Sequence, residues 1–252
     1  MKNYLRDIID AKKKTIEKIK ISGGVKLKKN GKSFVKILET KSSPVIIAEI
    51  KKASPSRGII REDFNFDDIF RVYEQNKLVD AISILTEEIF FLGNLDFVKT
   101  AVKGTKPILR KDFIFSEKQV YETSEAGADI MLLIAAILSE SEYKNLYNLG
   151  KTLNLEIITE IHNLKEYKMV SKYNPEIIGV NNRNLDTFEV SLEVSESIIK
   201  EKNIDAYYIS ESGIKNSEDI RKLYDIGFKG FLIGESIMKN NDINSALNGL
   251  LI

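Results

Sequence analysis

Eight short apolar runs, separated by amphipathic stretches, constrain this chain more than any other feature. They are Val45–Ile50, Ala81–Thr86, Pro107–Lys111, Ile130–Ala135, Glu156–Ile161, Ile177–Asn181, Ala206–Ser210 and Gly230–Gly234. Most are continuous in Ile, Val and Leu, without the apolar–polar alternation of a strand that has one wet face. They therefore read as strands covered on both faces. The stretches between them have helical spacing. Phe66 to Tyr73 is one, and Ser116 can N-cap another that ends before Gly127. A further helix opens at Ser217 and stops at Gly227, and Ser139, Leu164 and Ser191 sit near other starts. A strand followed by a helix, eight times over in 252 residues, predicts an α/β chain folded as a (β/α)8 TIM barrel.

Residues 1–44 precede the first strand. Leu5, Ile8, Ile9, Ile16 and Ile19 mark an amphipathic helix, Gly23-Gly24 breaks it, and Phe34, Val35, Ile37 and Leu38 mark a second, shorter one. The expectation is an N-terminal helical extension packed against the barrel. With only 4 prolines and no low-complexity linker, residues 1–252 read as one barrel domain that includes it. The stretch Lys26-Leu27-Lys28-Lys29-Asn30-Gly31-Lys32 reads as a solvated connection between the two helices.

Composition narrows the chemistry. There is no cysteine, so thiolate nucleophiles and Cys-based metal sites are excluded, and the single histidine, His162, rules out multi-histidine metal sites. Basic and acidic residues number 38 and 37, which gives no general attraction to nucleic acid or to an acidic membrane. No apolar run approaches the ~18 residues of a membrane span, and the first twenty residues are too charged for a signal peptide. A cytoplasmic protein whose chemistry is done by Lys, Glu, Asp, Ser and Asn is expected.

Those residue types gather at the C-terminal ends of the predicted strands. Glu49 and Lys51 are two apart, so both face the barrel interior at the end of the first strand. Lys111 ends the third strand, Glu160 the fifth, Asn181 and Arg183 the sixth, and Glu211 and Ser212 the seventh. Any one of these could simply mark where a strand leaves the core. Interleaved Lys and Glu on several strands argue instead for an acid/base site at the barrel mouth, with lysines protonated and carboxylates ionised. Ser212-Gly213 and Gly234-Glu235-Ser236 follow the last two strands, where barrels often bind phosphate through backbone N–H groups. His162, just beyond Glu160, reads as an exposed capping or surface residue.

Seven segments together resemble the indole-3-glycerol phosphate synthase family. They are Glu49-Ile50-Lys51-Lys52-Ala53-Ser54-Pro55-Ser56, Ser83-Ile84-Leu85-Thr86-Glu87 with Phe90-Phe91, and Pro107-Ile108-Leu109-Arg110-Lys111-Asp112-Phe113. Thr159-Glu160-Ile161, Gly179-Val180-Asn181-Asn182-Arg183-Asn184-Leu185, Ser210-Glu211-Ser212-Gly213-Ile214 and Leu232-Ile233-Gly234-Glu235-Ser236 complete the set. The resemblance spans nearly all of the chain from residue 45, and the N-terminal helices are similar in pattern only.

The resemblance implies closure of 1-(2-carboxyphenylamino)-1-deoxyribulose 5-phosphate to an indole with loss of CO2 and water, with no cofactor or metal. It makes Lys111 the general acid and Lys51 the partner of the anthranilate carboxylate. Glu160 and Glu49 are candidates for general base and proton relay. Asn181, Glu211 and Ser212 orient the ribulose hydroxyls and the lysines, and Phe90 borders the aromatic ring. Ser54, Arg183, Gly213, Gly234 and the backbone N–H of Glu235 hold the phosphate. The partner is thus a small phosphosugar, with neither nucleic acid nor membrane involved and a monomer as the working form. Rival readings are another phosphosugar barrel, a Schiff-base aldolase using Lys51 or Lys111, and a silent barrel that only binds a phosphorylated metabolite. Phosphoribosylanthranilate isomerases, which the phosphate site also resembles, use a Cys–Asp pair that this chain lacks.

Overall fold

The computed structural model describes residues 4–21, 32–185 and 187–250. Eight parallel strands close into a barrel: β1 (Val45–Ile50), β2 (Ala81–Leu85), β3 (Ile108–Lys111), β4 (Ile130–Ile134), β5 (Glu156–Ile161), β6 (Ile177–Asn181), β7 (Tyr207–Glu211) and β8 (Gly230–Ile233). Each strand pairs with the next in sequence, and β8 returns to β1 with Val45 opposite Gly230. The predicted strands are all present, with ends shifted by a residue in several. β3 starts at Ile108 because Pro107 has no N–H for the ladder, and β7 runs on to include Glu211.

Helices alternate with the strands: α3 (Phe66–Gln75), α4 (Leu95–Ala101), α5 (Glu117–Glu125), α6 (Glu140–Thr152), α7 (Leu164–Ser171), α8 (Glu193–Lys200), α9 (Ser217–Asp225), α10 (Glu235–Met238) and α11 (Ile243–Asn248). Most start on a side-chain cap. Ser116 accepts from Lys118 N, and Ser139 forms a capping box with Glu142. Asn65, Asn163 and Asn216 cap α3, α7 and α9 in the same way.

The strand period of two splits the apolar residues into two layers. Val45, Ile47, Ala81, Leu109, Ile130, Leu132, Ile158, Ile177, Ile209 and Leu232 fill the barrel interior. Ile46, Ala48, Ile50, Ile82, Ile84, Met131, Leu133, Ile157, Ile178, Val180 and Phe231 face outward under the helices. Continuing the inward parity to the C-terminal ends of the strands reaches Glu49, Lys111, Glu160, Asn181 and Glu211.

The N-terminal extension serves both ends of the barrel. α1 (Tyr4–Ile16) lies at the C-terminal mouth: Ile8 joins the interior cluster, and the buried Lys12 Nζ is 2.8 Å from Asp112 Oδ1 just past β3. α2 (Phe34–Thr40) covers the opposite end, with Phe34 and Leu38 fully buried. There Glu156, the first residue of β5, accepts from the N–H groups of Phe34 (2.7 Å) and Val35 (3.1 Å) and from Ser33 Oγ (2.7 Å). A carboxylate at a helix N-terminus satisfies donors that have no intrahelical partner. The Gly23-Gly24 break and Lys26 to Gly31 lie outside the described residues. Among those described, no helix is long and apolar enough to cross a membrane.

Candidate active site

A cavity of about 730 Å³ opens at the C-terminal mouth. Its floor is the row of inward-facing charges. Lys51 Nζ lies 2.7 Å from Glu49 Oε1, and Lys111 Nζ lies 2.8 Å from Glu160 Oε2 and 3.5 Å from Glu211 Oε2. Glu49, Glu160 and Glu211 are all nearly inaccessible to solvent. Among the described residues no group of three or more His, Asp or Glu is placed to hold a metal ion.

Burial and mutual proximity set the protonation states. Burial alone would drive a proton off Lys111, but Glu160, Glu211 and Glu49 outweigh it and hold the ammonium well above the ordinary lysine range. Burial opposes ionisation of Glu160 too. Lys111 and His162 reverse this and keep it ionised well below the usual carboxylate range. Glu211 departs from the expectation of uniformly ionised carboxylates. Burial dominates, Lys111 offsets it in part, Glu160 and Glu49 add repulsion, and the carboxyl is pushed up to about 8. At neutral pH the site therefore holds an ammonium, an ionised carboxylate and a protonated carboxyl side by side.

Buried polar networks behind the strands fix these side chains. Asn182 turns away from the cavity: its Nδ2 donates to Ser210 Oγ, Glu211 O and Ser212 O, while its Oδ1 accepts from the N–H and Oγ of Ser195. That ties the end of β6 to the end of β7 where Glu211 and Ser212 sit. Arg110 and Asp112 flank Lys111, and Arg110 does not line the cavity. Arg110 bonds Thr86, Asp112, Glu122, Thr123 and the carbonyl of Gln119, and Asp112 accepts from Thr86 and pairs with Lys12. Gly179 makes room for Glu211, because a Cβ there would lie 2.3 Å from Glu211 Oε1.

The other end of the cavity is formed by the turns that follow the last two strands. Ser212 and Gly213 are both left-handed, at φ 64° and 84°, a turn geometry from which anion-binding concavities are made. Gly213, Gly234, Glu235 and Arg183 all line the cavity here. The Glu235 carboxylate meets Arg57 Nε at 3.2 Å and Arg183 at 3.5 Å, and also pairs with Lys239. Three cations thus converge beside the two glycine turns. Sequence reasoning missed Arg57, which directly follows the Glu49–Ser56 segment, and Lys239, which stands in an ordinary surface-type stretch.

The remaining wall is apolar. Phe91, Phe113, Leu132, Ile134, Leu185 and Phe188 line it, together with Leu5 and Ile8 from α1. Tyr4 packs edge-on against Phe188 with ring centroids 5.1 Å apart, joining α1 to the loop after β6.

Of the residues singled out in the sequence, Glu49, Lys51, Lys111, Glu160, Asn181, Arg183, Glu211, Ser212, Gly213, Gly234 and Glu235 come together around this cavity. Two do not line it. Ser54 lies in a short hairpin (Ala53–Ser54 with Gly58–Ile59), its Oγ buried and without a hydrogen-bond partner. Phe90 packs against the barrel interior, and its neighbour Phe91 faces the cavity instead. The cause is Glu87, whose carboxylate accepts from the backbone N–H groups of Ile89, Phe90 and Phe91 and so sets which ring turns inward. His162 also departs from expectation: its side chain is only 7% exposed, wedged between Glu160 and Glu166.

The family model described as "Indole-3-glycerol phosphate synthase" matches residues 2–250. The chain is 43% identical over 242 residues to the indole-3-glycerol phosphate synthase of Thermoanaerobacter pseudethanolicus, covering 93% of this chain and 92% of that one. It is 46% identical over 221 residues to that of Clostridium acetobutylicum, covering 87% and 83%. The 3-hexulose-6-phosphate synthase structure from Salmonella typhimurium superposes with a TM-score of 0.65 at 11% identity, covering 82% of this chain and 96% of that one. At that identity the likeness shows the fold alone.

Proposed function

Because the chain belongs to the indole-3-glycerol phosphate synthase family, the carboxy-lyases of tryptophan biosynthesis, we propose how its cavity carries that reaction. The substrate is 1-(2-carboxyphenylamino)-1-deoxyribulose 5-phosphate. Its phosphate sits against Gly213, Gly234 and the Glu235 backbone N–H, with Arg183 as the counter-charge. Its aromatic ring lies on the apolar wall of Phe91, Phe113, Leu5 and Ile8. The ribulose carbonyl then falls between the two ends, over Lys111.

Lys111 donates its proton to the carbonyl oxygen as the carboxyl-bearing ring carbon attacks, giving a hydroxyl and a new C–C bond. Lys51, held by Glu49, pairs with the ring carboxylate until it departs as CO2 and the ring regains aromaticity. The hydroxyl then takes a proton from the Lys51 ammonium and leaves as water while a proton is lost from the adjacent CH2, and the C=C bond of the indole forms. Glu160, ionised and buried, accepts that proton. Glu49 steadies Lys51, Asn181 and Ser212 orient the hydroxyls, and Glu211 holds a proton within reach of Lys111.

The observation that carries this reading is Lys111, held 2.8 Å from Glu160 at the floor of a cavity with an apolar wall at one side and the left-handed Ser212-Gly213 turn at the other. We infer also that residues 1–252 act as one domain, as a monomer and in the cytoplasm. Because the chain contains no tryptophan, indole emission from product rises over a low background when substrate is added. Lys111→Ala is expected to fold but to lose about 10²–10⁴ in kcat, the usual contribution of a positioned acid. Near-normal turnover in that variant removes Lys111 from the acid role.

A further inference from the structure

We propose that His162 is a positioning residue, clamped between Glu166 and Glu160 so that the second oxygen of Glu160 is presented to Lys111 and the substrate. The inference rests on the reading of Glu160 as a reacting group.

His162 continues the inward parity of β5 through Ile158 and Glu160, but it does not line the cavity. Its Nε2 lies 3.2 Å from Glu160 Oε1, at ion-pair distance but without hydrogen-bond alignment, and its Nδ1 hydrogen-bonds Glu166 Oε2 at 3.0 Å, with the side chain 7% exposed. Glu166 is a fixed anchor. It stands in the first turn of α7, its N–H donates to Asn163 Oδ1, and its carboxylate accepts from the His162 N–H at 2.8 Å and from Asn163 Nδ2 at 2.6 Å. A rigid chain therefore runs from the start of α7 through His162 to Glu160 and on to Lys111. Glu160 divides its oxygens accordingly: Oε1 faces His162 and Asn181 Nδ2, and Oε2 faces Lys111.

The charged groups facing the imidazole are Glu160 from its own strand and Glu166 from α7. The short turn Ala135–Ile137, packed on β5 and α7, carries no charge. Asn181, which reaches Glu160 from β6, is neutral, and Lys111 and Glu211 stand beyond Glu160. Burial disfavours the cation, but the two carboxylates outweigh it and raise the imidazole to about 9. A cationic His162 has a purpose that a neutral spacer lacks. When Lys111 gives up its proton, Glu160 loses the charge opposite it, and His162 then keeps Glu160 ionised and in place for the following proton abstraction.

The test compares kcat, KM and their pH profiles for the wild type, His162→Gln, Glu166→Gln and Glu160→Gln, with an NMR titration of the one imidazole in the chain. His162→Gln is expected to change KM less than about twofold while kcat falls about tenfold, the scale of about one pH unit of charge interaction lost beside Glu160. Losing a cation raises the pKa of Glu160, so the acid limb of kcat should move up by about one pH unit. Glu166→Gln should move both in the same direction by less. In the wild type the imidazole should stay doubly protonated past pH 8, and Glu160→Gln or Glu166→Gln should each lower its titration. An unchanged kcat and acid limb in His162→Gln, or a wild-type imidazole titrating near the ordinary ~6.5, overturns the proposal, and the NMR result stands even if a variant fails to fold. Wild-type turnover in Glu160→Gln instead overturns the role given to Glu160. Loss of turnover there with none in His162→Gln overturns the positioning role alone.

Discussion

Replacing Glu211 with Gln should make the substrate-free protein more stable at alkaline pH while slowing the reaction. Glu211 is 1% exposed, and Lys111, 3.5 Å from its Oε2, is already paired more closely with Glu160. Burial, with repulsion from Glu160 and Glu49, raises its folded value from 4.5 to about 8 despite Lys111. Between those two values the native state binds a proton that the unfolded chain has released, so stability falls as pH rises through the window and levels off above it. At ~1.4 kcal/mol per pH unit, the penalty reaches on the order of 5 kcal/mol at most, since water entry and side-chain rearrangement dissipate part of it. Gln keeps the shape and cannot ionise. Even a third of that penalty corresponds to about 3–7 °C in Tm for a chain of this size. Thermal melts at pH 5, 7 and 9 should show the variant and wild type converging at pH 5 and separating at pH 9, the variant melting higher. Parallel Tm curves across that range would refute the argument, because Glu211 would then titrate as an ordinary carboxylate. Turnover should fall in the variant, since the amide cannot exchange a proton with Lys111.

Other perturbations follow from the same geometry. Lys12→Met leaves Asp112 buried with one cation fewer, which should cost about 2–4 kcal/mol in urea unfolding and raise KM as α1 loosens from the mouth. Gly179→Ala places a methyl 2.3 Å from Glu211 Oε1 and 2.9 Å from Ile158 Cγ2. It should destabilise by about 1–3 kcal/mol and depress kcat, whereas a neutral outcome in denaturation and turnover would show that the site yields more than its packing implies. Phe91→Ala should raise KM by more than Phe90→Ala, and the reverse order in steady-state kinetics would return Phe90 to the aromatic wall. Arg183→Ala should weaken binding of inorganic phosphate, and of substrate, more than it lowers kcat. Equal affinity in a calorimetric titration would remove Arg183 from the phosphate site.

Much of this site was legible before any coordinates because strand parity is local. Ile47 faces the interior and Ile46 the helices, so Glu49 and Lys51 had to share the inward side; the same counting carries Ile158 to Glu160. Ser116 and Ser139 announced their helices because an N-cap needs only a side-chain oxygen within a few residues of the orphan N–H groups. Phe90 and Phe91 resisted this reasoning. Adjacent aromatics in a loop have no period to separate them, and the turn that does so depends on three backbone bonds to Glu87. His162 was misread as exposed because a histidine after a strand resembles a helix start. Its burial comes from Glu166 folding back over it from α7.

The number, order and inward faces of the strands follow from local pattern alone, and with them the meeting of Lys and Glu at one end of a closed barrel. Those are consequences of repeats of two and of about 3.6 residues, which each segment carries within itself. No local pattern places α1 over the mouth through Lys12 and Asp112, or brings Arg57, Arg183 and Lys239 together on Glu235. Nor does any local pattern leave Glu211 protonated while Glu160 beside it is ionised. These outcomes depend on distances between residues far apart in the chain, fixed when the barrel closes, and on the burial that closure imposes.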